Sequence, residues 1–292
     1  MEHKAGFVSI LGNPNVGKST LMNMLIGERL SIITSKAQTT RHRIMGIVNG
    51  ENFQIVYSDT PGVLTPNYKM QEYMMKYVES ALQDSDVLLY MTECRETNYN
   101  QEVVNSIIKS GNPVILIINK IDLATEEIIN TSKQHWENIL QPQKTYCISA
   151  LQGTNTHGII DGITDLLPLS PPYFSKDELT NRPMRFFVAE IIREKILLQF
   201  KKEIPYSVEI EITDYKEEAN ITRINAIIFV ERESQKAIIL GHQGQSIKEL
   251  GINSRLSIEE FIGKNVYLSL SIKVQKDWRN DDSRLRKFGY GL

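Results

Sequence analysis

Two cysteines in 292 residues cannot build a disulfide framework, and Cys94 and Cys147 lie too far apart in sequence for a zinc site. Both are expected to be reduced core thiols of a cytoplasmic protein. No apolar run approaches the ~20 residues that a membrane-spanning helix needs. The opening MEHKAGFVSILG turns polar too soon for a signal peptide. Neither sign of charge is in excess: 33 Lys+Arg face 35 Asp+Glu, a net charge of −2. Composition therefore neither announces nucleic acid nor excludes it. Internal repeats and low-complexity stretches are also absent.

The charge is unevenly spread. Residues 182–292 carry 19 Lys+Arg and 16 Asp+Glu, leaving 14 and 19 for residues 1–181. The C-terminal part is thus +3 and the N-terminal part −5, which turns the basic end toward any polyanion.

Short apolar runs recur at 7–11 (FVSIL), 53–58 (FQIVYS), 87–91 (VLLYM), 114–118 (VILII) and 145–148 (TYCI). Helical stretches such as Gln71–Gln83 and Glu102–Ser110 lie between them. Continuous apolar strands alternating with helices predict a parallel sheet covered on both faces. In MGIVNGENFQIVY the NGEN is a hairpin turn, which adds one antiparallel edge strand. The expected fold is a doubly wound, mostly parallel α/β domain over residues 1–172. Pro168, Pro171 and Pro172 close it, and residues 173–182 read as a linker.

After the linker the pattern changes. PMRFFVAEIIREKILLQF has apolar residues every three or four positions, whereas YSVEIEITDY and NVYLSLSIKV alternate strictly. ITRINAIIFVE should pair with the first of these strands. Helix, strand, strand, helical stretch and strand make a small α+β domain over 183–292.

GNPNVGKST at 12–20 follows the first strand and matches G-x-x-x-x-G-K-S. Such a loop, Gly12, Asn13, Pro14, Asn15, Val16 and Gly17, lets backbone N–H groups turn around phosphate oxygens. Lys18 reaches the β- and γ-phosphates, the Ser19 hydroxyl ligates Mg²⁺, and the helix from about Thr20 offers its N-terminus to the anion. DTPG (Asp59, Thr60, Pro61, Gly62) follows the FQIVYS strand. Its aspartate can hold Mg²⁺ through water, and the Gly62 N–H can meet the γ-phosphate. NKID at 119–122 names the base, because the Asp122 carboxylate can accept from guanine N1–H and N2–H₂, which adenine lacks. Asn119 would contact the base edge and steady the loop, and the Lys120 stem can lie along the ring. SAL (Ser149, Ala150, Leu151) can add a backbone N–H to the guanine oxygen. All three lie at carboxyl ends of strands, where open α/β sheets bind ligands.

These stretches predict GTP and GDP as ligands and attack of water on the γ-phosphoryl group, catalysed by positioning and charge. Lys18, Asp59 and Gly62 are assigned to catalysis. SKAQTTRHR at 35–43 offers Thr39 and Thr40 to close the Mg²⁺ shell, and Thr40 is the choice. Val63 follows DTPG where a Ras-like enzyme has a glutamine to orient water, so intrinsic hydrolysis should be slow.

GNPNVGKST, QTTRHR, DTPG, NKID and SAL together resemble the G domain of the Era GTPases. ILGHQGQSIKELG at 239–251 resembles the G-x-x-G segment of a KH RNA-binding domain, and VQKDWRNDDSRLRKFGY at 274–290 is similar to the end of Era proteins. The resemblance covers essentially the whole chain and implies a type II KH domain. It also implies a cytoplasmic, monomeric GTPase that binds the 3′ end of small-subunit (16S) ribosomal RNA. Such a protein acts in maturation of the small ribosomal subunit, and some members contact the inner membrane peripherally. Related loops use the asparagine at position 15 to hold K⁺ against the phosphates.

Gly241, His242, Gln243 and Gly244 form the loop expected to approach an RNA backbone, with about four nucleotides held beside it. Lys248 and Arg255 on the following helix are expected to meet phosphates. His242 and Gln243 stand where KH loops often carry Lys or Arg, which weakens the charge contribution. Trp278 is expected to pin the C-terminal segment by packing, while Tyr290 is open between packing and base stacking. Met70, Met74 and Met75 are expected to face the core or a switch helix. The alternative function is a signalling or membrane-associated GTPase whose second domain binds protein.

Overall fold

The computed structural model describes residues 2–34, 36 and 38–291, so Ser35 and Ala37 of SKAQTTRHR lie outside the described residues. Two compact units emerge. The first ends at Asn181, and the second comprises Arg182–Gly291 together with Asn67–Met70.

The first unit is a six-stranded sheet in the order β2-β3-β1-β4-β5-β6. Its strands are β1 (Lys4–Leu11), β2 (Ile44–Asn49), β3 (Phe53–Asp59), β4 (Val87–Glu93), β5 (Val114–Asn119) and β6 (Lys144–Cys147). Only β2 runs antiparallel, paired to β3 through the Gly50 turn. The helices are α1 (Lys18–Ile26), α2 (Lys69–Asp84), α3 (Gln101–Ser110), α4 (Glu126–Leu140) and α5 (Ile159–Leu166). Every residue of β5 is buried, as a strand covered on both faces requires. Leu11, Leu88, Leu116, Ile118 and Trp136 form a core that continues into Val63. Met70 and Met74 are fully buried, and Met75 packs partly against the same cluster. Cys94 and Cys147 are free, with burial raising both thiols above their ordinary value.

The stretch expected as a linker is stitched to this sheet up to Thr180. Gln54 binds the chain three times: its Oε1 accepts from Tyr173 N at 2.7 Å and Phe174 N at 3.0 Å, and its Nε2 donates to Phe174 O at 2.9 Å. Further along, Ile47 N donates to Leu179 O at 2.9 Å and Thr180 Oγ1 to Met45 O at 2.7 Å. Gln54 at the start of β3 and the outer flank of β2 supply the partners, which proline spacing alone does not reveal.

The second unit runs α6 (Met184–Gln199), β7 (Glu209–Glu217), β8 (Thr222–Val230), α7 (Glu233–Leu240), α8 (Gln245–Ile262), β9 (Val266–Val274) and α9 (Asp282–Lys287). β7 and β8 are antiparallel and β9 joins β8 in parallel. This is the helix order and mixed three-stranded sheet of a KH domain. Its core gathers Ile192, Ile196, Ile224, Ile228, Leu250 and Ile258. Trp278 and Tyr290 are fully buried. Trp278 Nε1 donates to Ser207 O at 3.2 Å and Tyr290 OH to Glu209 Oε2 at 2.7 Å, so both pack and neither offers a ring face to a base. Among the described residues no helix is long and apolar enough to cross a membrane.

Candidate functional site

At the carboxyl ends of β1, β3 and β5 the first unit opens a cavity of about 430 Å³. Pro14, Asn15, Gly17, Lys18, Ser19, Thr20, Thr40, Thr60, Gly62, Asn119, Lys120, Asp122, Ser149 and Leu151 all line it. Of the residues expected at the nucleotide, Gly12, Asn13, Val16, Asp59, Pro61 and Ala150 are not among those that line it. Ile32, Ile33, Thr34 and Leu123 also line the cavity, and no motif pointed to them.

The loop from Gly12 to Gly17 turns sharply. Gly17 takes φ 106°, and a Cβ there would sit 2.3 Å from Asn119 Nδ2, so only glycine fits. No side chain caps α1, which leaves its first N–H groups for an anion. Lys18 Nζ donates to Gly12 O at 3.0 Å and Asn13 O at 2.8 Å. Burial lowers the Lys18 ammonium to about 8, against the opposing pull of the Asp59 and Glu96 carboxylates. Asn15 is exposed in the left-handed region, with φ 65°.

Three hydroxyl and carboxylate groups from separate elements meet at one point. Ser19 Oγ donates to Asp59 Oδ2 at 2.8 Å and lies 2.9 Å from Thr40 Oγ1, which donates to the same Oδ2 at 3.3 Å. Thr39 is instead used within its loop, donating to Lys36 O at 2.6 Å. Asp59 is fully buried, and its Oδ1 accepts no hydrogen bond among the described residues. Burial raises the Asp59 carboxyl above its ordinary range, and Lys18 pulls it back. A buried carboxylate with a spare oxygen beside two hydroxyls is a hard-oxygen set that fits Mg²⁺, which takes few protein ligands and shares the rest with phosphates. Val63, next to Gly62, is buried in the core and offers no polar group.

The base end is tied to the phosphate end. Asn119 Nδ2 donates to Val16 O at 2.8 Å, and its Oδ1 accepts from Ala150 N at 2.8 Å. The Asn119 side chain therefore steadies both neighbouring loops. Ser149 N donates to Thr154 O at 3.1 Å. Lys120 is ion-paired with Glu93 at the end of β4. Asp122 stands exposed at the lip, with Leu123 and Leu151 beside it.

The second unit carries a groove of about 330 Å³ between α8 and β9. Ile247, Lys248, Gly251, Ile252 and Arg255 form one wall, Leu268 and Leu270 the other. The Gly241–Gly244 turn precedes this helix, with His242 and Gln243 exposed and Gln243 at φ 50°. Gly241 has φ 70°, and a Cβ would lie 2.5 Å from Ser246 Cβ. Arg255 Nη1 is already bonded to both oxygens of Glu259 at 2.8 Å, so of the two expected cations Lys248 is the one with no acidic partner among the described residues. The apolar lining was within reach of the sequence: Ile247, Gly251 and Ile252 share a helical face, and Leu268 and Leu270 alternate along a strand.

Residues 7–120 match the family model of a 50S ribosome-binding GTPase, and residues 203–279 match the KH domain. The chain is 44% identical to GTPase Era of Carboxydothermus hydrogenoformans over 99% of both chains. It is 40% identical to GTPase Era of Staphylococcus haemolyticus, over 99% of this chain and 98% of that protein. A solved structure of Era in complex with MgGDPNP and nucleotides 1506–1542 of 16S ribosomal RNA superposes with a TM-score of 0.94 at 36% identity, covering 99% of this chain and all of that one. Aquifex aeolicus Era bound to GDP·AlF4⁻ matches with a TM-score of 0.93, also at 36% identity, over 99% of this chain and all of that one.

Proposed function

The chain belongs to the Era family of GTPases, and on that footing we propose that it binds and hydrolyses GTP and binds the 3′ end of small-subunit ribosomal RNA during small-subunit maturation. The observation that carries the enzymatic half is the convergence of Lys18, Ser19, Thr40, Gly62, Asn119 and Asp122 on one cavity from separate loops. Loop amides and the first turn of α1 receive the phosphates, with Lys18 as their cation. Asp122 accepts from the guanine edge, and Asn119 keeps its loop in register with the phosphate loop. Ser19 and Thr40 would hold Mg²⁺ directly and Asp59 through water, and the ion supplies positive charge to the β- and γ-phosphate oxygens when bound. The Gly62 N–H faces the γ-phosphate. Val63 orients no water, so intrinsic turnover is slow.

In the second unit the Gly241–Gly244 turn lets a phosphate backbone pass close, and the apolar floor of the groove receives unstacked bases. Lys248 adds charge there. The reading extends to a monomer in the cytoplasm, to K⁺ at Asn15, and to peripheral contact with the inner membrane. The test is binding of a short RNA from the 3′ end of 16S ribosomal RNA to the GTP- and GDP-loaded protein over a salt series. Binding that depends on the nucleotide and weakens steeply with salt is expected. A second unit that retains no RNA at low salt, and instead retains protein, would favour the signalling alternative.

A further inference from the structure

The phosphate loop is braced from outside by a residue that no motif contains. Asn13 Nδ2 donates to Glu96 Oε1 at 2.6 Å and to Asn98 O at 2.6 Å, so both amide hydrogens are spent. The other Glu96 oxygen, Oε2, accepts from Thr92 Oγ1 at 2.8 Å. Thr92 is fully buried in β4, and Glu96 N closes a turn onto Glu93 O at 3.0 Å. The Asn13 carbonyl in turn accepts from Lys18 Nζ at 2.8 Å. An unbroken series of bonds thus runs from a rigid strand, through a carboxylate, to the seat of the lysine that meets the phosphates.

We infer that Glu96 is a positioning residue for the nucleotide site, holding Asn13 so that the phosphate loop is already shaped when the nucleotide arrives. The inference rests on the nucleotide reading above. A charge-assisted acceptor outperforms a neutral one, and a half-buried donor that loses its acceptor carries a desolvation cost. Glu96 does not line the cavity, and its side chain is bonded to Asn13 and Thr92 and to none of Ser19, Thr40 and Asp59. Its removal should therefore loosen binding of GDP and GTP alike, through the part that they share, and leave the chemical step alone.

The experiment measures Kd for GDP and GTP, together with KM and kcat, for Glu96→Ala, Glu96→Gln, Asn13→Ala and the double alanine variant. Glu96→Ala should weaken both nucleotides by about tenfold and raise KM, with kcat within about twofold. Glu96→Gln keeps an oxygen for Asn13 and should restore most of the affinity. The double variant should be little worse than Asn13→Ala, because that substitution already removes the bond to Glu96 along with the one to Asn98 O. Should Glu96→Ala prevent folding, Asn13→Ala removes the same bond from its other end, together with the bond to Asn98 O, and should lose at least as much affinity. Unchanged Kd, losses that multiply in the double variant, or a glutamine variant as weak as the alanine would each overturn the inference. A parent protein that binds neither nucleotide would overturn the nucleotide reading itself, and this inference with it.

Discussion

Asn119 donates its side-chain amide to Val16 O at 2.8 Å across 103 positions of sequence. The loop that names the base is thereby bonded to the loop that cradles the phosphates. Guanine selection and phosphate binding are expected to be coupled, and exchanging the base specificity should leave the phosphate end intact only while Asn119 stays.

Asp122→Asn tests the base. The substitution replaces a double acceptor at the exposed lip of the cavity with a group that can donate one hydrogen bond. Guanine loses its bidentate partner, and xanthine, with a second carbonyl, gains one. The preference should swing from GTP to XTP, with a discrimination at stake on the order of 10⁴. Competition between the two nucleotides for the variant decides it, and a variant that still prefers GTP would refute the assignment.

Ser19→Ala tests the ion. Ser19 bonds Asp59 at 2.8 Å and touches Thr40 at 2.9 Å, so its loss removes one oxygen from a set of three. The Mg²⁺ concentration at half-maximal hydrolysis should rise by about tenfold or more, as when one ligand of a metal site is lost. An unchanged Mg²⁺ titration would remove Ser19 from the ion's shell.

Lys18 makes nucleotide affinity depend on pH. In the free protein burial lowers its ammonium to about 8, from the ordinary lysine value of 10.5. Phosphates favour the charged lysine, so GDP affinity should be flat below pH 8 and fall above it, by up to about tenfold at pH 9. The stability of the free protein responds in the opposite sense. Between pH 8 and 10.5 the unfolded chain holds the proton and the folded chain does not, so this lysine's contribution to stability rises with pH. Calorimetric GDP titrations and thermal melts over the same buffers check both signs. An affinity that stays level to pH 9 contradicts the first.

Asn15 tests the monovalent ion. It is exposed in the phosphate loop with a left-handed backbone. Hydrolysis should be faster in K⁺ than in Na⁺, and Asn15→Ala should erase the difference. Equal rates in the two salts would end this assignment.

His242→Asp with Gln243→Asp tests the second unit. Both residues are exposed at a turn, so the fold should be little disturbed. Two carboxylates would then face a phosphate backbone, each costing up to roughly 4 kcal/mol before screening. A tenfold loss needs only about 1.4 kcal/mol, so RNA affinity should fall by at least that while GTP affinity holds. A folded variant that binds RNA like the parent would take this turn out of the interface.

The strands were legible because a sheet covered on both faces demands unbroken apolar runs, as in VILII. The nucleotide motifs were legible because a phosphate loop tolerates few residue types at Gly17 or Lys18. Of Thr39 and Thr40, both offered by SKAQTTRHR, it is Thr40 that bonds Asp59. Other features depend on side chains that meet across long stretches of chain. Gln54 fastens Tyr173 and Phe174, and Glu96 fastens Asn13. A lone Gln or Glu in sequence has no period and no fixed spacing to announce such a partner. Arg255 is a different case: Glu259 stands four residues on along α8, a spacing that helix geometry does announce, and it holds the guanidinium that was expected at a phosphate.

That carboxylate does more than neutralise a cation. Glu259 Oε1 also accepts from Val266 N at 2.9 Å, the first residue of β9, so one side chain clasps both walls of the groove at the same end. The spacing between α8 and β9 is therefore set before any strand arrives. A cleft of fixed width has little ordering left to lose on association, so its ligands are sorted by fit. In the reading proposed above this groove receives bases, so selectivity there should follow base size and strand flexibility more than charge.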